Sequence, residues 1–434
     1  MKKLAFSFIL FLCMTFFSCS NENNYCAEKP VLLKTSHRIS TEQAQQNALE
    51  FVNRIFTTTG CPISVSVSEV KAISANKSLT RSVNDSINLD TLFYVVNFEN
   101  ENGFIIASSD DREIPIFAYI EEGNYEETED SIAGDTLFIT DSTYNAGFES
   151  FMCALQEIEI NNRTKYHKNP EDDELYDGVV PGPITGGGIT GHKSEVFDIM
   201  EPLLKTKWGQ FMYNKYCPED YTGCVVTAVS QICSYLKAPH SFRWTDNGTI
   251  YNCTMDWDRI NSECTNNMWG VVSSPDLIDQ VSRLMRFWGI VFNAEYDSSG
   301  TSVDSEYAIS QLQEIGLNAT SLSDYNGKDV ISQLKKGNRI IYMCGNGRYY
   351  HVGLVFRKYV DGHAWVVDGY IHSIKGWDIK DYLHCNWGWD GDKNGYYLRD
   401  IFDTDEGPAY YDDGTPTRTY KNYQYNLKTS VICK

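Results

Sequence analysis

The 434-residue sequence predicts an α+β fold built as two unequal modules. Three observations predict it. A helix-period segment near the amino terminus is followed by short apolar runs of strand length. A stretch rich in Gly, Pro and Asp, residues 167–196, then interrupts all periodicity. Beyond it the chain is again aromatic and apolar, with one strongly apolar helix pattern and several strand-like runs ending in Gly-rich turns. At 42 % apolar residues there is material for more than one core.

The first residues, MKKLAFSFILFLCMTFFSCSNENN, carry two lysines, an apolar run too short to span a membrane, then Ser18-Cys19 and a polar tail. This is the layout of a secretory signal over residues 1–19, with a tether over 20–37. Small residue then cysteine resembles a bacterial lipoprotein processing site, which makes Cys19 a candidate lipid anchor at an outer membrane.

Next, ISTEQAQQNALEFVNRIF (39–56) reads as a helix. Ser40 is placed to cap it and Gln43 to complete a capping box. Ala44, Ala48, Phe51, Val52, Ile55 and Phe56 share one face. Within residues 92–125 the runs LFYVV, FIIA and IFAYI read as strands, separated by Asn, Gly, Asp and Pro turns. EEGNYEETED (121–130) reads as a solvated acidic loop, and NAGFESFMCALQEIEINNRT as a second helix. The 167–196 stretch that follows is an exposed linker and a natural place for proteolytic cutting.

A net charge of −21 argues against nucleic acid or an anionic membrane surface as a partner. Of thirteen cysteines, Cys13 and Cys19 fall in the leader. The remaining eleven are an odd number, so export permits up to five disulfides and leaves at least one thiol unpaired. There is no CxxC pair and no Cys/His cluster at zinc spacing, so neither a metal nor another cofactor is expected.

The chemistry concentrates in YTGCVVTAVSQICSYL (221–236). Val225, Val226, Val229, Ile232, Cys233 and Leu236 recur at helical spacing, so a helix begins at or just after Cys224. A thiol there feels the positive end of the helix dipole, which favours the thiolate. Gly223 leaves room for a substrate backbone. A core cysteine at a helix start has the same local pattern, so a catalytic Cys224 needs a histidine brought from elsewhere. His351 in RYYHVGLVF and His363 in DGHAWVVDGY have equivalent local contexts, each at the start of a strand-like run, and local pattern leaves both open. In HCNWGWDGDKNGYYL, Asn386 offers an amide to hold an imidazole, with Trp387 and Trp389 to shield it. Cys, His, Asn in chain order is the arrangement of a papain-like thiol hydrolase.

On these motifs, with LLKTKWGQFMYNKYCP (203–218) and MRFWGIVFNAEYDSSGTSV, the chain resembles the streptopain family of secreted bacterial cysteine peptidases. YVVNFENENGFIIASSDDREIPIFAYIEEG resembles that family's inhibitory propeptide. The resemblance implies a papain-like peptidase domain over 197–434 and a smaller α+β inhibitory propeptide over 38–166, joined by an activation linker over 167–196. It implies Cys224 as nucleophile and His363 as general base and acid, which decides against His351. Gln210 matches the glutamine that binds the oxyanion, with the Cys224 N–H as second donor. Asn386 and Trp387 match the Asn-Trp pair behind the histidine. The implied activity is hydrolysis of protein or peptide substrates by a zymogen whose own propeptide is its inhibitor.

The chain departs from the family in reading GCVVTA where GCVATA is usual, and GWDGDKNG where GWGG is common. RYYHVGLVFRKYV is longer than usual. Two other readings share the residues: a cell-wall amide hydrolase of the same fold, and a surface-binding lipoprotein without activity.

Overall fold

A computed structural model of the chain describes residues 37–60, 64–75, 87–126, 145–168, 196–298, 300–352, 356–375, 378–402 and 425–433. The leader with Cys19, nearly all of the tether and linker, and residues 127–130 of the acidic loop lie outside them.

Helix α1 (Thr41–Thr59) starts where Ser40 Oγ accepts the Gln43 N–H at 3.2 Å and ends at Gly60 in the left-handed region. The expected capping box forms only by half. The Gln43 side chain donates to Asn47 Oδ1, one turn further on, instead of returning to Ser40. Ala44, Ala48, Val52 and Ile55 are buried, and Phe51 and Phe56 half-buried, as the periodicity requires. Strand β1 (Val67–Ile73) was not legible. Its sequence VSEVKAI mixes charge into an edge strand that is exposed along much of its length. Strands β2 (Phe93–Phe98), β3 (Phe104–Ser108) and β4 (Ile116–Ile120) are the three expected runs. Every residue of them is buried. Apolar runs without alternation are what a sheet covered on both faces demands. Helix α2 (Ala146–Lys168) completes this part.

The second part opens with β5 (Val196–Met200), which includes the last residue assigned to the linker. A helical half follows. It contains α3 (Cys224–Leu236), the hairpin β6 (Ser241–Asp246) and β7 (Thr249–Thr254), α4 (Trp257–Asn266) and α5 (Pro275–Val291). The short hairpin β8 (Glu295–Asp297) and β9 (Gly300–Ser302) leads to α6 (Ser305–Glu314), β10 (Asn318–Ala319), β11 (Ser323–Asp324) and α7 (Gly327–Lys335). Long strands close the chain: β12 (Arg339–Val352), β13 (Phe356–Lys375), β14 (Asp378–Asn386), β15 (Gly395–Leu398) and β16 (Tyr425–Cys433).

Residues 348–352 and 356–360 of the unusually long RYYHVGLVFRKYV segment belong to the distal part of the β12–β13 ladder, which is paired from Ile341↔Val367 out to Val352↔Phe356.

The expected propeptide, residues 38–166, shares a sheet with the part that follows it. Its strands continue the peptidase sheet in the order β1-β2-β3-β4-β15-β14-β13-β12-β16-β10, with β11 on β16 and β5 on β13. The join is antiparallel, Tyr396↔Tyr119 and Tyr397↔Ala118. The reason is physical: β4 and β15 would each present an unpaired edge, and pairing satisfies both. A single apolar cluster accordingly runs from Val52 and Phe104 to Trp365, Trp387 and Tyr397. A second cluster gathers the helical half around Trp208, Val226, Trp288 and Ile340. The amino end of α3 meets β13 between the two.

Candidate active site

Gly223 precedes α3 at φ 94°, ψ 144°, and a Cβ there would stand 3.0 Å from the Thr301 methyl. Both facts require glycine, and the bend sets Cys224 as the first helical residue. The backbone N–H groups of Ala364, Val225 and Cys224 itself favour the thiolate. Cys224 is half-buried and lines a cavity of about 780 Å³ together with His363. The cavity walls come from β8, β9 and the start of α6, and from Cys344, Gly345 and Asn346 of β12.

His363 stands opposite Gly345 in the β12–β13 ladder, at the point where the two strands reach α3. His351 pairs with Arg357, six residues further along β12 than Gly345. At about 3.3 Å per residue that is ~20 Å away, up the hairpin. The His363 ring stacks with Trp365 (5.9 Å, 16°) and is tilted against Trp389 (6.4 Å). Its Nε2 is 3.0 Å from the carbonyl oxygen of Trp387.

Asn386 is turned elsewhere. It faces Val366 across the β13–β14 ladder, on the side that packs against α3. Its amide donates to the Thr206 carbonyl (2.9 Å) and to Gln231 Oε1 (3.3 Å), and its oxygen accepts from Gln231 Nε2 (3.0 Å). Gln231 Oε1 also accepts the Trp208 N–H at 3.0 Å. The amide expected to hold the imidazole therefore braces the 206–210 segment against α3. The neighbouring backbone carbonyl meets the ring.

Gln210 is buried, and its carbonyl accepts both the N–H and the hydroxyl of Thr222, two residues before the cysteine. Its side-chain amide takes no hydrogen-bond partner among the described residues. Trp387 is 1 % exposed and packs on Trp365 and Tyr397, each with ring centres 5.2 Å away.

Burial pushes the Cys224 thiol above the ordinary cysteine value, against the pull of the three N–H groups. Burial likewise lowers the His363 imidazole to about 4, with the Trp387 carbonyl opposing. Both shifts favour the neutral forms, thiol and imidazole.

Among the described residues, no propeptide side chain lines the cavity. Contact is made behind it. Asn145 donates to the Asp392 carbonyl at 2.5 Å, Phe151 stacks edge-on against Tyr397 at 4.7 Å, and Gly147 lies directly on the Trp387 indole. Lys393 reaches the Asn124 carbonyl (3.3 Å) and lies 5.5 Å over the Phe104 ring. The DGDKN residues that distinguish this chain's loop are thus clamped to the propeptide. Glu122 also pairs with Lys207 at 2.5 Å.

Sequence reasoning missed Gln231 and Cys344. Gln231 carried a signal: an uncharged polar residue wholly buried on an apolar helix. Cys344 carried none, because its place depends on strand register. The permitted disulfides do not form among the described residues: all nine cysteines there are free thiols, with Cys26 and Cys61 outside. Cys233, Cys253 and Cys264 fill core positions as small apolar residues. No group of three or more metal-ligating side chains occurs among the described residues.

Comparison with known proteins places these features. The profile of the Peptidase C10 family matches residues 208–397, and that of the Spi protease inhibitor matches residues 36–144. Residues 208–397 are thus a peptidase C10 domain, preceded by a Spi inhibitor domain. It is 22 % identical over 308 residues to the thiol protease/hemagglutinin PrtT of Porphyromonas gingivalis, a match covering 65 % of this chain. The chain spans only 31 % of that relative's length. Among solved structures, a prointerpain A fragment of Prevotella intermedia is 21 % identical with TM-score 0.47, covering 85 % of this chain and 98 % of that one. Active interpain A cysteine protease of the same organism is 23 % identical with TM-score 0.36, over 54 % and 94 %. As a C10 peptidase preceded by an inhibitor domain, the chain has the order of parts of a zymogen.

Proposed function

We propose that this C10 peptidase is a cysteine endopeptidase, acting on proteins and peptides and held latent by residues 38–166. The observation that carries the reading is the meeting of Cys224, at the start of α3, with His363 in one cavity. His363 takes the Cys224 proton, the thiolate attacks a peptide carbonyl, and a covalent acyl-enzyme forms. The free amide of Gln210 and the Cys224 N–H are the donors for the oxyanion, each contributing about 10²–10³ in rate. His363 returns its proton to the leaving amine, and water releases the acyl group. Asn386 acts at one remove, through Gln231 and Thr206, by fixing the Gln210 segment.

Latency follows from the neutral pair. While burial favours thiol and imidazole, the reactive thiolate–imidazolium pair is scarce. Release of the propeptide from the Trp387 wall frees the loop that anchors the ring and lets water into the site, which moves both groups back toward ionisation. Cutting falls between about 178 and 200, and before Val196, whose backbone is already paired with Ile374. We place the enzyme outside the cytoplasm from its leader, with Cys19 as the lipid-anchor candidate. No helix of the described residues is long and apolar enough to cross a membrane.

Hydrolysis of a denatured protein beside release of fragments from peptidoglycan tests the reading. Protein turnover, lost in Cys224→Ala and in His363→Ala, is the expected result. Peptidoglycan cleavage alone would make the enzyme a cell-wall hydrolase instead.

A further inference from the structure

The cleft holds a second thiol that the peptidase reaction does not use. Cys344 is half-buried, lines the same cavity as Cys224, and packs on the same apolar cluster. The ladder fixes its position. Cys344 is the cross-strand partner of Ala364, whose N–H is among the groups that favour the Cys224 thiolate. Partners across an antiparallel ladder lie about 5 Å apart, with side chains on one face. The two thiols therefore face one cavity from two elements, α3 and β12. They are close enough that charge on Cys224 helps to raise Cys344, which burial in the first place pushes to about 12. Cys344 makes no disulfide, and its neighbour Ser305, a hydrogen-bond partner that opposes the rise, is also 2.6 Å from the Tyr342 hydroxyl.

We propose that Cys344 is the resolving thiol for Cys224, and that under peroxide the two close a reversible disulfide across the cleft. Its effect on peptidase activity rests on Cys224 being the nucleophile; the bond itself does not. The Cys224 thiolate attacks the peroxide O–O bond and becomes a sulfenic acid, and the other peroxide oxygen leaves as water or an alcohol. Cys344 sulfur then attacks the sulfenic sulfur. The S–S bond forms, the S–O bond breaks, and the departing hydroxide takes the Cys344 proton as water. Two thiols lose two electrons, and the peroxide gains them. A disulfide needs Cα atoms within about 7 Å. The linked peptide requires Cys224 and Cys344 to meet that limit, and the test reads this directly. The paired state stores the nucleophile at an oxidation level that a thiol reductant reverses, short of the irreversible sulfinic acid.

The test uses the full chain, wild type and Cys344→Ala, exposed to hydrogen peroxide at mildly alkaline pH, then alkylated, digested and mapped by mass. The expected wild-type product is a Cys224–Cys344 linked peptide, lost on treatment with dithiothreitol. The variant is expected to carry sulfinic acid at Cys224 that dithiothreitol does not reverse. Sulfinic acid at Cys224 in both proteins with no linked peptide, or a bond from Cys224 to any other cysteine, overturns the proposal. The linked peptide is read without any turnover, so a wild type that forms it but hydrolyses nothing contradicts the peptidase reading and leaves the thiol pair standing.

Discussion

His363 Nε2 stands 3.0 Å from the carbonyl oxygen of Trp387. A backbone atom on a loop thus sets the ring, while the amide of Asn386 is spent on Gln231 and Thr206. The two neighbouring residues have separable tasks. Replacing Asn386 by Ala leaves Gln231 with unmet bonds inside a dry core, a cost of about 1–3 kcal/mol. Gln231→Leu removes the other half of the same network. Chemical unfolding should show the single losses and a double variant well short of their sum. Additive losses would mean that the pair is not one unit.

Gln210 offers the cleanest separation of chemistry from folding. Its side-chain amide holds up nothing else among the described residues. Gln210→Ala is expected to lower kcat about 10²–10³-fold and to leave the melting temperature nearly unchanged. A rate close to wild type would remove Gln210 from the oxyanion site.

Gly147 touches the wall behind the histidine. An added Cβ would meet Trp387 Cε3 at 2.1 Å. Alanine gains about 1 kcal/mol in helix preference, but a clash with a buried indole costs about 1–3 kcal/mol, so the clash wins. Gly147→Ala should loosen the propeptide and speed maturation of the full chain, followed by intact mass. Unchanged or slower maturation would contradict the part given to this contact.

A buried histidine links propeptide and enzyme. His384 Nδ1 is 2.6 Å from Asp368, and Nε2 is 3.3 Å from Glu121 of the propeptide. Tyr396 packs edge-on to the ring, with Tyr119 stacked on Tyr396. Burial works against the charge, but the two carboxylates hold the imidazolium up to about 10. The folded value lies above the unfolded one, near 6.5. The stabilisation is therefore complete below about pH 6.5 and is lost as the pH rises through about 10. Its size is on the order of a few kcal/mol. Urea unfolding of the full chain at both ends of that window measures it, and Asp368→Asn should flatten the difference. A variant with the wild-type pH dependence would refute the assignment.

Much of this was legible locally. The Cys224 helix start needed only Gly223 and the apolar spacing after it, and β2 to β4 announced themselves as apolar runs. What local pattern missed is what pairing decides. His351 and His363 share a local context, and only the register Gly345↔His363 brings one of them to the cleft. Asn386 and Trp387 are adjacent, yet the strand's alternation sends the amide toward α3 and leaves the ring to a carbonyl beyond the strand end. The continuous sheet across β4 and β15 depends on two edges far apart in sequence, neither of which advertises its partner. Cys344 is silent for the same reason.

The central claim is that Cys224 is the nucleophile of a zymogen. The full chain and its Cys224→Ala variant, kept under reducing conditions, should be followed by intact mass while a denatured protein substrate is present. The account predicts that the wild type cuts itself once before Val196 and digests the substrate, while the variant stays whole and inert. A variant that matures and digests like the wild type would contradict it, as would a wild type that stays inert after an added protease has removed the propeptide.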